Sequence, residues 1–102
     1  MHATGWSNGQ PLPTGAGYGV RVSAHDRDQY FEYGWDHVIV GLDGDTARVQ
    51  LSKSFWRSCP ELRSAAIGRW LKRNDMAPWP PGAPPDLLLQ PIGHNRFDLR
   101  KP

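Results

Sequence analysis

Short runs of alternating hydrophobic and polar residues recur along the chain, and each run predicts a strand with one buried face. Residues 18–24 alternate in this way, with the period of a half-buried strand. Residues 35–42 are rich in β-branched side chains, and residues 46–51 alternate again. The three residues between these runs, Asp43-Gly44-Asp45, predict a hairpin, because glycine tolerates the positive φ that a tight reversal requires.

A second pair of alternating runs lies further along the chain. Residues 87–90 and 96–100 carry apolar side chains at alternate positions and flank Gly93-His94-Asn95. This arrangement predicts another hairpin. Pro91 places its first strand near a sheet edge, because proline has no N–H to donate to a neighbouring strand.

The helical period is found over residues 59–73. Ser58 and Glu61 have the spacing of a capping box, in which the two side chains accept hydrogen bonds from free backbone N–H groups at a helix start. Lys72 and Arg73 fall in the last turn, where the helix dipole favours cations. The predicted buried face consists of Leu62, Ala66, Ile67, Trp70 and Leu71.

The remaining segments show no clear period. Residues 1–17 are rich in Gly and Pro and predict a flexible N-terminal arm. Residues 25–34 fit either a long loop or a continued strand, and residues 53–57 fit a connection. Residues 75–85 contain five prolines around Trp79, which favours an extended bridge from the helix to the last hairpin over a partner-binding segment.

Together these elements predict an α+β domain over residues 18–102. Its mostly antiparallel, twisted or curled sheet has about five strands in the order β-β-β-α-β-β, with one helix packed on it. No stretch carries a family motif from which an activity transfers. The predicted core consists of Val20, Val22, Val38, Val40, Ala47, Val49, Leu51, Leu62, Ala66, Ile67, Trp70, Leu71, Leu89, Phe97 and Leu99.

The composition agrees with one small domain. The chain has 102 residues, and its 11 Gly and 10 Pro require many loops. Cys59 is the single cysteine, which excludes an internal disulfide and suits a reducing compartment, so we expect a cytoplasmic protein. No apolar run reaches the roughly 18 residues of a membrane span, so we expect no membrane partner.

The charges are segregated although the net charge is only +2. Residues 25–46 contain six acids and one Arg, whereas residues 53–73 contain six bases and one Glu. Basic side chains beside aromatic rings suit the phosphates and unpaired bases of nucleic acid. We therefore expect a small binding module whose basic helix face binds an anionic partner, with nucleic acid as the leading candidate. Mutual neutralisation of the two segments is the alternative. The interface is assigned to Lys53, Trp56, Arg57, Arg63, Arg69, Lys72, Arg73 and Trp79.

An aromatic-lined pocket for a small molecule is the competing hypothesis. The chain has five Trp, three Tyr and three Phe, and acids beside such rings select a cationic or aromatic ligand through charge and cation–π contacts. The pocket, within one chain or at a homodimer interface, is assigned to Tyr30, Tyr33, Trp35 and Asp36.

Catalytic and metal-binding residues are less well supported. His25 and His37 lie next to acidic residues, but their spacing matches no metal-ligand signature. Cys59 is the candidate nucleophile, and the sequence places no general base beside it. We therefore assign no catalytic residue, no metal site and no cofactor, and rank enzyme activity third, after the two binding hypotheses.

Overall fold

A computed structural model describes all 102 residues, which form seven strands and three short helices. The strands are β1 (His2–Ser7), β2 (Tyr18–Arg21), β3 (His37–Leu42), β4 (Asp45–Gln50), β5 (Glu61–Arg63), β6 (Asp86–Gly93) and β7 (Arg96–Arg100). The helices are α1 (Ala24–Tyr30), α2 (Lys53–Arg57) and α3 (Ala65–Arg73). None of the three is long and apolar enough to cross a membrane.

The strands form one sheet in the order β4-β3-β7-β6-β1-β2-β5. Neighbouring strands are antiparallel except β3 and β7, which are parallel. The two end strands, β4 and β5, contact each other, so the sheet curls into a near-barrel. The predicted α+β class, with about five strands and one helix packed on the sheet, is therefore wrong. The chain is mostly a seven-stranded mixed sheet, and β1 and β5 are the strands that the prediction missed.

Both predicted hairpins are present. In the β3–β4 turn, Asp43 and Gly44 have φ angles of 55° and 97°, the left-handed conformation that a tight reversal needs. The register pairs Val38 with Val49, which places both in the core. Asn95 has a φ of 46° in the β6–β7 turn. Local turn chemistry was sufficient to predict both reversals.

The predicted helix start at Ser58 and Glu61 is wrong. Glu61 begins β5, which pairs with β2, and its carboxylate accepts a hydrogen bond from Arg21 Nε at 3.1 Å. The helix α3 begins later, after Ser64, whose hydroxyl accepts from the backbone N–H of Ala66 at 3.2 Å. The capping-box spacing is local, whereas Arg21, the residue that lies opposite Glu61 in the strand pairing, is 40 residues earlier in the chain.

Residues 2–7, which the sequence places in the N-terminal arm, form β1 between β6 and β2. The buried face of β1 carries Ala3 and Gly5, because other groups lie directly over it. A Cβ added at Gly5 would lie 2.7 Å from Pro85 Cδ and 3.0 Å from the ring of Trp79. With such small inward residues, β1 has no hydrophobic period that sequence reasoning can detect.

The core lies inside the curled sheet and continues into the helices. Phe31, directly after α1, stacks on Phe97 of β7 with ring centroids 4.7 Å apart, and Phe55 of α2 lies 5.1 Å from Phe31. All predicted core residues are buried except Ala66, which is half-buried. The buried apolar residues that the prediction missed are Ala3, Tyr18, Phe31, Leu42, Phe55 and Leu87.

Candidate binding cleft

The β3–β4 hairpin brings two distant segments of the chain together. Its last backbone pair is His37 with Gln50, and beyond it the N–H of Leu51 donates to the carbonyl of Asp36 at 2.8 Å. Residues 33–36 therefore lie beside residues 51–57. The first segment comes from the predicted aromatic pocket and the second from the predicted nucleic-acid interface.

A cleft of about 520 Å³ lies between these segments. It combines three aromatic rings with two basic side chains and one acidic side chain. The lining residues are Tyr33, Trp35, Asp36, Leu51, Ser52, Lys53, Trp56 and Arg57. Three residues of each rival set from the sequence thus meet at one place, and this aromatic cleft is the candidate site.

The rings of the aromatic cleft differ in how they are held. Tyr33 is 81% exposed, and its ring centroid lies 5.2 Å from that of Trp56. Trp35 packs edge-on against Phe97 and His94, at 6.5 and 5.4 Å between centroids. The Trp35 Nε1–H group is buried and has no hydrogen-bond partner. Trp35 is therefore held by packing, whereas Tyr33 presents its ring to solvent.

Helix α2 is anchored so that Trp56 and its neighbours face the aromatic cleft. The helix begins after Ser52, whose hydroxyl accepts from the N–H of Phe55 at 3.3 Å, an N-cap that satisfies a free donor of the first turn. Arg27 of α1 is only 8% exposed and donates through Nη1 to the Phe55 carbonyl at 3.1 Å. Its Nε donates to Asp28 at 2.9 Å. Arg27 thus ties α1 to α2.

The charge of the aromatic cleft comes from side chains with different degrees of pairing. Lys53 and Arg57 are exposed and take part in none of the salt bridges of the chain. The Asp36 carboxylate accepts a hydrogen bond from His37 Nδ1 at 2.5 Å, and this bond holds the pKa of Asp36 below its ordinary value. Asp36 is therefore ionised near neutral pH, and its carboxylate is already hydrogen-bonded to His37. Lys53 and Arg57 have no salt-bridge partner.

The other basic residues of the predicted interface lie elsewhere. Arg63, on β5, donates to Glu61 at 2.7 Å. Arg69 and Lys72 of α3 donate to backbone carbonyls of the loop over residues 12–14, at 3.1 Å for Arg69 and at 3.2 and 3.3 Å for Lys72. Arg73 is exposed on α3. The cations of α3 are therefore partly used to hold a loop of the same chain.

The remaining predicted site residues also fall outside the aromatic cleft. Trp79 packs on Tyr18, with ring centroids 5.5 Å apart, and Tyr30 lies on α1 and is 37% exposed. His25 is exposed on α1, and Cys59 has its Sγ atom 3.6 Å from the Ser58 hydroxyl. No three His, Cys, Asp or Glu side chains are grouped so that they could hold a metal ion.

Sequence reasoning missed Leu51 and Ser52, which line the aromatic cleft, and Arg27, which anchors α2 beside it. Arg27 stands alone in an acidic segment, and nothing local indicates that it is buried. For Leu51 and Ser52 a signal did exist, because the hairpin register itself carries residues 51 and 52 past residues 36 and 35. The site is thus a consequence of the hairpin.

No family model, curated protein or solved structure matches the chain.

Proposed function

We propose that this chain is a small binding module for single-stranded nucleic acid and that its aromatic cleft takes an unpaired base. The main support is the exposed ring of Tyr33 against Trp56, beside the unpaired cations Lys53 and Arg57. Proteins that bind single strands combine aromatic rings, on which bases stack, with basic groups that follow the phosphates.

The size and charge of the aromatic cleft favour this ligand over a cationic one. A volume of about 520 Å³ falls within the range of about 300–1,000 Å³ found for small-ligand sites. The base would enter the aromatic cleft while the phosphates stay at its rim. The cleft is lined by two cations, Lys53 and Arg57, and by one carboxylate, Asp36. That carboxylate is already hydrogen-bonded to His37. The net positive charge therefore attracts an anion and opposes the cationic ligand of the competing hypothesis.

The test is fluorescence anisotropy with short labelled DNA and RNA oligonucleotides at several salt concentrations. If Lys53 and Arg57 contact two phosphates, the logarithm of the association constant should fall against the logarithm of salt with a slope of about −1.4. A duplex of equal length should bind more weakly, because its bases are not free to stack. Binding that ignores salt, or equal binding of the duplex, would overturn the proposal.

Tyr33→Ser measures the stacking contribution. Because Tyr33 is 81% exposed, its loss should leave the fold intact. Base stacking on one ring contributes about 1–3 kcal/mol, so affinity should fall about 5- to 150-fold. Tyr30→Ser is the matched control, since Tyr30 is exposed and does not line the aromatic cleft. Equal losses in the two variants would contradict the assignment of the base to this cleft.

The combined change of Lys53→Gln and Arg57→Gln tests the phosphate contacts. With the shortest oligonucleotides, whose phosphates contact only Lys53 and Arg57, the variant should weaken binding and bring the salt slope close to zero. Arg73→Gln is its control and also tests the helix-face interface expected from the sequence. If Arg73→Gln reduces the slope and Lys53→Gln with Arg57→Gln does not, the strand binds along α3 and not at the aromatic cleft. Thermal stabilisation by cationic aromatic compounds, without oligonucleotide binding, would support the small-molecule alternative.

A further inference from the structure

Two arginines on the outer face of the sheet are held by one buried carboxylate. In the register of β2 and β5, Arg21 lies opposite Glu61, and Gly19 lies opposite Arg63. The side chain of Glu61 is 1% exposed, whereas those of Arg21 and Arg63 are 51% and 52% exposed. We call this set the Arg21–Glu61–Arg63 cluster.

The carboxylate holds each guanidinium by charge-assisted hydrogen bonds. Oε2 of Glu61 accepts from Nε and Nη2 of Arg21, with Nε at 3.1 Å, and Oε1 accepts from Nη2 of Arg63 at 2.7 Å. Burial by itself would raise the pKa of Glu61, but the hydrogen bonds and positive charges of Arg63 and Arg21 outweigh it and hold the pKa below its ordinary value. Glu61 is therefore ionised near neutral pH.

The ring of Trp6 packs against the Arg63 guanidinium. The Arg63 Cζ atom lies 4.7 Å from the centroid of the Trp6 ring. Trp6 and Arg63 sit on either side of Gly19 in the sheet, so no side chain separates them. This cation–π contact restricts Arg63 from one face, and its half-exposed side chain leaves other N–H groups in solvent.

The Arg21–Glu61–Arg63 cluster has N–H donors that Glu61 does not use, and it carries a net positive charge. Each guanidinium carries five N–H donors, and Glu61 uses two from Arg21 and one from Arg63. Two guanidinium ions and one carboxylate leave one net positive charge. Asp86, the nearest further acid in the register across Thr4, is hydrogen-bonded to His2 at 2.9 Å. Fixed, forked N–H donors with net positive charge fit the oxygens of a phosphate group.

We propose that Arg21 and Arg63 form a phosphate-binding site and that it takes a backbone phosphate of the strand whose base enters the aromatic cleft. The second part rests on the proposed function. The positions fit, because Arg57 at the rim of the cleft and Glu61 are four residues apart, and four residues span at most about 14 Å. The two places are therefore close enough for one strand to span them.

The first experiment uses inorganic phosphate and needs no nucleic acid. Phosphate should progressively shift the NMR signals of the Nε–H groups of Arg21 and Arg63, while chloride at equal ionic strength should not. Arg63→Gln should abolish the response of Arg21, since a single guanidinium lacks the second set of donors. Arg48→Gln is the control, because Arg48 is exposed on β4 and forms no salt bridge. Equal shifts in chloride would overturn the site, whatever the aromatic cleft binds.

The second experiment uses oligonucleotides of increasing length. For oligonucleotides long enough to reach both sites, Arg63→Gln should make the negative salt slope shallower by about 0.7, the contribution of one phosphate. Shorter oligonucleotides should show no change in slope. The effect of Tyr33→Ser should persist in the Arg63→Gln background. If inorganic phosphate binds and Arg63→Gln leaves the slope unchanged at every length, the site takes a free phosphate and the assignment to the strand is wrong.

Discussion

Gly68 provides a direct test of the packing that holds α3 in place. It lies in the middle of α3, where replacement of Gly by Ala favours a helix by about 0.8–1.0 kcal/mol. The structure gives the opposite expectation. A Cβ at Gly68 would lie 2.1 Å from the carbonyl oxygen of Gly15 and 2.7 Å from its Cα, well inside van der Waals contact.

The loop around Gly15 has little room to move away. Gly15 has a φ of 94°, and the loop is closed by the hydrogen bond from Leu12 N–H to the Ala16 carbonyl at 2.8 Å. Arg69 holds it to α3 through the Thr14 carbonyl. Helix and loop must therefore separate to accept a methyl group. Such overpacking costs about 1–3 kcal/mol and sometimes more, which exceeds the gain in helix propensity.

Because the added Cβ would lie so close to backbone atoms of Gly15, we take the upper half of the overpacking range, about 2–3 kcal/mol. Subtracting the gain in helix propensity of about 0.8–1.0 kcal/mol, we expect Gly68→Ala to lower the free energy of unfolding by about 1–2 kcal/mol. For a domain of this size, that corresponds to a fall in Tm of about 4–16 °C. The assay is urea and thermal unfolding followed by tryptophan fluorescence, with an unchanged m-value. Gly34→Ala is the control, because nothing lies within 4 Å of the added Cβ. A Gly68→Ala protein as stable as the parent would refute the packing argument.

Two further predictions concern single side chains. In urea unfolding, Trp70→Phe should lower the free energy of unfolding more than Trp35→Phe does, and equal losses would contradict this. Trp70 Nε1 donates to Asp43 at 2.6 Å, and a hydrogen bond to a charged group contributes about 1.5–3 kcal/mol, whereas Trp35 Nε1 has no hydrogen-bond partner to lose. Burial opposes the lowered pKa of Glu61, but the bonds from its arginines prevail, so Glu61 contributes stability above its unfolded pKa that is lost as pH falls through the lower folded value. Glu61→Gln should therefore lose less stability than the parent between about pH 5 and pH 2, and parallel urea midpoints would show that Glu61 does not carry this dependence.

The parts of the fold that the sequence predicts correctly depend on neighbours in the chain. The Asp43-Gly44 turn and the alternation around it suffice for the β3–β4 hairpin, since all of the relevant contacts lie within that stretch. The errors have long-range causes. Glu61 lies in a strand because β5 pairs with β2, where Arg21 is its partner, and β1 is a strand because β2 and β6 pair with it on either side. No local pattern contains either fact.

The site shows the same division. The sequence selected its aromatic half and its basic half, but as rival hypotheses, because 20 positions separate Asp36 from Trp56. The predicted hairpin already implied that residues 36 and 51 meet, so joining the two halves required only extending the register by one pair. The burial of Arg27 could not be predicted in this way. Its side chain donates to the Phe55 carbonyl, and that contact exists only because α1 packs on α2.

The aromatic cleft and the core are built from the same short segments, yet they use different residues. Phe31 is 4% exposed and stacks on the core, while Tyr33, two residues later, is 81% exposed. Phe55 is 1% exposed, and the adjacent Trp56 contacts the exposed ring of Tyr33. The ring of Tyr33 removes little apolar area from water, so it contributes little to folding. Substitution of Tyr33 therefore separates binding from stability, and a loss of affinity at unchanged Tm points to the ligand.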